Sequence, residues 1–474
     1  MDGLNIEVLK SYPMPDLKKV DVLYESALKQ LNKKIVVLDD DPTGVQTVHD
    51  IYVYTSWDED TVTKGFMDEN SMFFVLTNSR GFTSDETQKV HEEIGKTLEK
   101  VSKGTGKDYI LISRSDSTMR GHYPLETKTL KNTIEKMSDK KFDGEIMSPF
   151  FMEGGRYTID NVHYVKEGEE LVPASKTEFA KDKTFGYKNS HIGEYIEEKT
   201  KGEFKAEDTT YITLKELRSI DITGITHKLL AVKDFNKIVL NAIDYTDVKV
   251  FIVAYIRAML QDKRFMFRSA AAVPKVLGGV TDAALLKKEQ LIENNNKNGG
   301  IVLIGSHVNK TTLQFEDLKN TVQPMEFIEF NQHLVVKENE LEKEVKRVIN
   351  LAEEKIRSGQ NVVVYTRRER FDLDTDDKNK QLEISIKISD AVTSVIGKLG
   401  VKPSFIIAKG GITSSDVGTK ALKVKKALVM GQVKPGIPVW MTGEESRFPQ
   451  MPYIIFPGNV GEIETLKEIV DLLS

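Results

Sequence analysis

The feature that most constrains the fold is a repeated unit: a short, β-branched apolar run stops in a polar or glycine-bearing loop, and helix-period sequence follows. Lys34–Leu38 stops at Asp39-Asp40-Asp41-Pro42-Thr43-Gly44, and Met72–Leu76 at Thr77-Asn78-Ser79-Arg80-Gly81. Tyr109–Ile112 stops at Ser113-Arg114-Ser115-Asp116-Ser117, Ile301–Ile304 at Gly305-Ser306-His307, Asn361–Tyr365 at Thr366-Arg367, and Ser404–Ala408 at Lys409-Gly410-Gly411. Continuous apolar runs of this length are strands buried on both faces, and their alternation with helices predicts an α/β fold with mostly parallel sheets. Ligands of such sheets gather outside the carboxyl ends of the strands. The chemistry is therefore sought in these loops.

At 474 residues the chain is too long for one ordinary core. The reading is a helical extension over residues 1–30, a first α/β domain over 31–293 and a second over 301–474, joined by the polar run Glu293-Asn294-Asn295-Asn296-Lys297-Asn298-Gly299-Gly300. A net charge of -5 provides no field to draw nucleic acid or an acidic membrane. The absence of cysteine excludes disulfides, thiolate metal sites and thiol nucleophiles. Met1 to Lys19 carries acidic residues and no apolar leader, and no run approaches membrane-span length, so a cytoplasmic protein is expected. A homodimer is compatible with exposed apolar strands, although nothing in the sequence specifies one.

Helical spacing over Leu4–Leu31 predicts a lead-in helix, and Ile51–Thr55 alternates like a strand. Thr83 or Ser84 would cap the next helix, and Ser115, Asp116 or Ser117 the helix running on from Leu125. Glu145–Phe151 reads as a strand and Glu153–Tyr164 as a β-hairpin, able to fold over a substrate or to lie on the surface. Ser175–Gly202 reads as helical, and Tyr211–Leu214 and Lys237–Ala242 as strands. Asp247–Leu260 reads as a helix that Lys263–Val273 could extend.

Three consecutive carboxylates at a strand end can take a proton, hold Mg²⁺ or grip a substrate hydroxyl; alternatively they cap local backbone. Arg80 suits bidentate binding of a carboxylate or phosphate, and equally an ion pair with a neighbouring Asp. Arg114, Ser115, Asp116 and Ser117 offer the donors and acceptors that a small polyhydroxy acid needs. The segments Gly104-Thr105-Gly106-Lys107 and Gly95-Lys96-Thr97 lack the upstream glycine of a phosphate loop. His49, His122 and His163 have no partner at zinc-ligand spacing. Gly410 and Gly411 would let backbone approach a phosphate, with Thr413, Ser414 and Ser415 capping the helix that follows, and Ser306, Gly458 and Gly461 add to the same set. Ordinary strand-to-helix turns would also use such residues.

Taken in order, Asp40-Asp41-Pro42-Thr43-Gly44, Arg80, Asp116-Ser117-Thr118 with Arg120-Gly121, Arg264-Phe265 through Ala271, Gly305-Ser306-His307, Gly410-Gly411-Ile412-Thr413-Ser414 and Pro457-Gly458-Asn459 resemble the four-carbon acid sugar kinases. The resemblance implies a substrate domain followed by a nucleotide domain, with an active site in the cleft between the two. It implies ATP-dependent phosphorylation of threonate, erythronate or 3-oxo-tetronate. By resemblance, Asp40, Asp41, Arg80, Arg114, Ser115, Asp116 and Ser117 would bind the acid sugar, and Ser306, Gly410, Gly411, Ile412, Thr413 and Gly458 would bind ATP. Asp41 would serve as catalytic base, Arg80 or Arg114 would hold the substrate carboxylate, and Mg²⁺ would accompany ATP through ligands the sequence leaves unknown. Many relatives have Ala at Asp39, a hydrophobic residue at Pro42 and Lys at Arg114, and the Gln46–Asp50 and Gly154–Tyr164 segments look like features of a distinct branch. A rival reading takes Asp39-x-Asp41-x-Thr43 with Thr77 and Asn78 as the start of a haloacid-dehalogenase-like Mg-dependent phosphatase with Asp39 as nucleophile. A non-catalytic sugar-acid sensor is the third.

Overall fold

In the computed structural model, which describes residues 3–293, 295–371, 373, 378–458 and 460–474, the apolar runs named above are strands. The chain divides into two compact units, Met1–Gly44 with Ser56–Asp282, and Val45–Thr55 with Ala283–Ser474.

The first unit is built on seven parallel strands in the order Thr210–Ile212, Asn236–Leu240, Gly144–Ser148, Phe265–Ser269, Tyr109–Arg114, Lys34–Asp39, Met72–Leu76. Lys34–Asp39, Met72–Leu76, Tyr109–Arg114, Gly144–Ser148 and Phe265–Ser269 are buried at every position, as a sheet covered on both faces requires. Register aligns their carboxyl ends: Asp39 pairs with Leu76 on one side and Arg114 on the other, Arg114 with Ser269, and Ser269 with Ser148. The crossover helices are well signalled locally. Ser84–Thr105 starts at a capping box in which Thr83 and Glu86 satisfy each other's backbone donors, and it ends at Gly106 with φ of 67°. A separate antiparallel sheet joins Leu4–Asn5, Glu170–Pro173, Val162–Glu167 and Arg156–Ile159.

Several expectations are corrected here. The Leu4–Leu31 lead-in is a short strand and a 3-10 turn, and the helix spans only Leu17–Leu28. Lys263–Val273 does not extend the preceding helix, which ends at Met259; Phe265–Ser269 is instead an interior strand of the parallel sheet. Ser175–Gly202 is mostly 3-10 turns and loop, with one helix at Ile192–Lys199. The helix Leu125–Met137 is not capped by Ser115, Asp116 or Ser117, because its N-cap position is Pro124.

The second unit carries a mixed sheet, Ile51–Tyr54, Lys426–Lys434, Ile437–Thr442, Pro452–Phe456, Ile406–Lys409, Ile301–Ile304, Asn361–Thr366, Met325–Phe330. Its first three pairings are antiparallel and the remainder parallel. The strand Ile51–Tyr54, read from sequence as part of the first domain, is hydrogen-bonded to Lys426–Val429 of this sheet. The residues of the expected linker other than Asn294, which lies outside the described residues, belong to this unit, and the change of unit falls after Asp282. Its core gathers Val302, Ile304, Val363, Ile407, Ile454 and Phe456 with helix residues such as Phe315 and Leu466. No helix among the described residues is long and apolar enough to cross a membrane.

Candidate functional site

In the first unit the three aspartates that follow the Lys34–Asp39 strand have different surroundings. Asp39, 1% exposed, receives Arg114 Nη1 at 3.0 Å, while its Oδ2 is buried without a hydrogen-bond partner. Burial raises its carboxyl to about 7 despite Arg114, with Asp40 and Asp41 adding to the rise. Gly44 closes over it: a Cβ there would stand 1.9 Å from Asp39 Oδ2. Asp40 takes a two-point contact from Arg80, Nη2 at 2.6 Å and Nε at 3.2 Å, and the Ser115 hydroxyl donates to it at 2.5 Å. Asp41 accepts Arg80 Nη1 at 3.2 Å and, on its other oxygen, Thr43 N–H at 2.9 Å and Thr43 O–H at 2.5 Å. Burial works to raise Asp41, but Arg80 and the Thr43 bonds outweigh it and hold the carboxyl below its ordinary value. Asp41 is therefore an ionised acceptor.

The loop after Tyr109–Arg114 folds back onto this set. Asp116 accepts Arg120 Nε at 2.7 Å and the Thr118 hydroxyl, and Arg120 with Arg80 keeps it far below the carboxylate range against the effect of burial. Gly121, with φ of 124°, passes so close that a Cβ would lie 2.7 Å from Ser115 Oγ and 2.8 Å from Arg268 Nη2. Arg268 bonds Ser113 Oγ at 2.9 Å and Glu126, whose other oxygen takes the Ser79 hydroxyl at 2.6 Å. Arg120 and Arg156 both stand against the Phe179 ring, at 5.0 and 5.5 Å from its centre.

The structure thus brings Asp40, Asp41, Arg80, Arg114 and Ser115 together through direct contacts, and the charges of Arg80 and Asp116 also act on each other. Ser117 contributes its carbonyl to buried His163 at 2.7 Å; burial lowers that imidazole to about 4. Both guanidiniums expected to hold a substrate carboxylate face aspartates of this chain. Asp39, the nucleophile of the rival phosphatase reading, is 1% exposed, with Gly44 packed against it and Arg114 bonded to it. Arg120, Arg156 and Arg268 complete the constellation. In sequence they stand in polar or apolar runs that do not reveal their partners.

In the second unit three strand ends meet. Gly410, with φ of 121°, would place a Cβ 2.9 Å from Ser306 Cβ, and a Cβ at Gly458 would meet Ser306 Oγ at 3.4 Å. Gly305 leaves room for Thr413, whose Oγ1 would otherwise lie 2.3 Å from a Cβ. Thr413, Ser414 and Ser415 do not cap a helix as expected, because helix Gly411–Asp416 has already begun; Ser414 instead donates to Ala408 O at 2.8 Å. Ile412 is 75% exposed. Asn459 lies outside the described residues.

Two cations in this unit were not anticipated. Lys409 is fully buried, donates to Pro457 O at 2.5 Å and is lowered to about 6, chiefly by burial and further by Lys310. Arg368, just past the Asn361–Thr366 strand, donates Nη2 to Ser306 O at 2.7 Å and to Thr312 Oγ at 2.8 Å, while its Nε and Nη1 have no partner. Close-approach glycines beside an undersatisfied guanidinium fit a phosphate group.

Residues 35–277 match a family described as a sugar-binding N-terminal domain, and residues 301–466 one described as a nucleotide-binding C-terminal domain. Those two matches define a sugar- and nucleotide-binding α/β protein. The chain belongs to the four-carbon acid sugar kinase family. Its fold is similar to that of a Haemophilus influenzae protein of a domain family of unknown function, at TM-score 0.59 and 16% identity, covering 93% of this chain and 100% of that one. A Salmonella typhimurium LT2 protein, described only provisionally as a tRNA synthase, has TM-score 0.64 and 13% identity over 91% of this chain and 97% of its own. No curated protein matches the sequence.

Proposed function

We propose that the protein is an ATP-dependent kinase that phosphorylates a hydroxyl of a four-carbon sugar acid of the threonate, erythronate or 3-oxo-tetronate type. The observation that carries this reading is one chain matching both a sugar-binding and a nucleotide-binding domain, with an aspartate–guanidinium cradle at the strand ends of the first. Asp40, Asp41, Arg80, Arg114, Ser115, Asp116 and Ser117 form the acid-sugar site, and Ser306, Gly410, Gly411, Ile412, Thr413 and Gly458 the ATP site, with Arg368 beside Ser306.

Asp41 orients the acceptor hydroxyl and takes its proton late in the transfer. Its ionised state and fixed geometry suit that role better than strong basicity would, because phosphoryl transfer depends mainly on positioning and charge neutralisation. Mg²⁺ favours phosphate oxygens, water and one or two carboxylates, so it would accompany the nucleotide. Among the described residues no cluster of acidic or histidine side chains forms a ready-made cage for it. When bound it would neutralise charge on the phosphates.

The test is ADP release with ATP and Mg²⁺ across the stereoisomers of the three acids, beside phosphate release from a generic phosphomonoester. Acid-dependent ADP release is expected, and Asp41→Asn should lower kcat by roughly 10² to 10⁴. Phosphomonoester hydrolysis without acid-dependent ADP release would overturn the reading.

A further inference from the structure

A guanidinium removed from water is costly unless a carboxylate or a full set of acceptors meets it. At the first unit's strand ends that condition is satisfied for Arg80 by Asp40 and Asp41, for Arg114 by Asp39, for Arg120 by Asp116 and for Arg268 by Glu126. Arg156 differs. It is half-buried, its Nε has no partner, and among the described residues no carboxylate lies at ion-pairing distance and no acceptor takes either Nη.

Its position is nevertheless fixed. Arg156 opens the strand Arg156–Ile159, and its backbone is tied to Phe151 in both directions, N–H to O at 2.9 Å and O from N–H at 3.1 Å. The preceding Gly155, with φ of 71°, makes the turn that aims it. Phe179 supports the guanidinium face, and the same ring carries Arg120, which is bonded to Asp116. Arg80, by contrast, already uses Nε, Nη1 and Nη2 on Asp40 and Asp41.

We infer that Arg156 takes the carboxylate of the acid substrate on its free Nη1/Nη2 fork and thereby sets the preference for an acid over a neutral polyol. The inference rests on the proposed kinase reading. Arg80 and Arg114 then act through the aspartates they hold, as positioning residues, and the unpaired positive charge at the hairpin is neutralised when substrate binds.

Calorimetric titration of threonate and erythronate without nucleotide, together with steady-state kinetics, tests this on wild type, Arg156→Gln and Arg156→Lys. Arg156→Gln should weaken acid binding and raise KM by about 10- to 100-fold, with kcat at saturation near wild type, as loss of a charged hydrogen-bonding group predicts. Arg156→Lys, which keeps the charge and loses the fork, should recover part of the affinity and also reports if the Gln variant melts early. Erythritol, which lacks the carboxylate, should bind wild type and variants alike. Unchanged KM in both variants of an enzyme that phosphorylates these acids overturns the inference alone. A wild type that neither binds nor phosphorylates any of them overturns the kinase reading and the inference together.

Discussion

Asp39 shows how much one residue can be made to carry. Its carboxyl lies at the end of a fully buried strand, is met by one guanidinium, and is closed off by a glycine whose missing Cβ is the only reason it fits. Burial outweighs Arg114, so the group is raised from 3.8 to about 7 in the folded protein. Between those two values the native state binds more protons than the unfolded chain, so this residue's contribution to stability falls as pH climbs from 3.8 to about 7 and is constant above. An Asn cannot ionise. Relative to wild type, Asp39→Asn should therefore gain a few degrees in Tm between pH 5 and pH 8, most of it below pH 7. A Tm difference that does not move with pH would mean that Asp39 stays ionised throughout. Asp41, two residues on, is shifted the other way by Arg80 and Thr43, so two carboxylates of the same turn are moved in opposite directions by their surroundings.

At the scale of elements, the Gly410 turn of the proposed ATP site depends on backbone that favours glycine. Gly410→Ala would add strain at a φ of 121° and press a methyl to 2.9 Å from Ser306 Cβ, shifting the strand end that presents Ser306. ADP affinity should fall by about tenfold or more, for a penalty of order 1–3 kcal/mol, while acid binding to the first unit, measured by calorimetry, stays at the wild-type value. Equal loss of both ligands would place Gly410 in general stability instead. Strands such as Lys34–Asp39 and Ile301–Ile304 were legible because burial on both faces leaves an unbroken apolar run. Lys426–Lys434 was not, because it alternates buried and half-buried positions and includes Lys, Gly and Gln, and Ile437–Thr442 is interrupted by Pro438. Phe265–Ser269 has spacing that fits a helix as well as a strand, and only its neighbours in the sheet decide the matter. The placement of the candidate residues at strand ends could be read from the alternation of apolar runs and polar loops. The unpaired state of Arg156 could not, since it is set by which carboxylates the fold brings to the other arginines.

At the scale of the whole chain, the two units are not consecutive in sequence. The backbone changes unit after Gly44, after Thr55 and after Asp282, so the turn that bears Asp41 runs directly into Val45, the start of a segment built into the second unit. That segment ends as a strand paired with Lys426–Val429, with Asp50 N–H donating to Val429 O at 2.7 Å, Thr55 N–H to Lys425 O at 3.1 Å and the Thr55 hydroxyl to Val424 O at 2.5 Å. A division at the apparent domain boundary would leave these acceptors and the flank of Lys426–Val429 bare, and an unprotected strand edge is a template for pairing with another chain. Residues 283–474 produced alone should therefore self-associate. Light scattering should show oligomers that revert to monomer when a synthetic peptide of residues 45–56 is added, with ADP binding strengthened at the same time. If the fragment is monomeric and binds ADP as the full chain does, the strand Ile51–Tyr54 is dispensable to it and residues 283–474 form a self-sufficient domain. If the peptide restores it, the segment that follows the Asp41 turn in sequence is a structural part of the second unit, and a cut between residues 282 and 283 does not separate two self-sufficient domains.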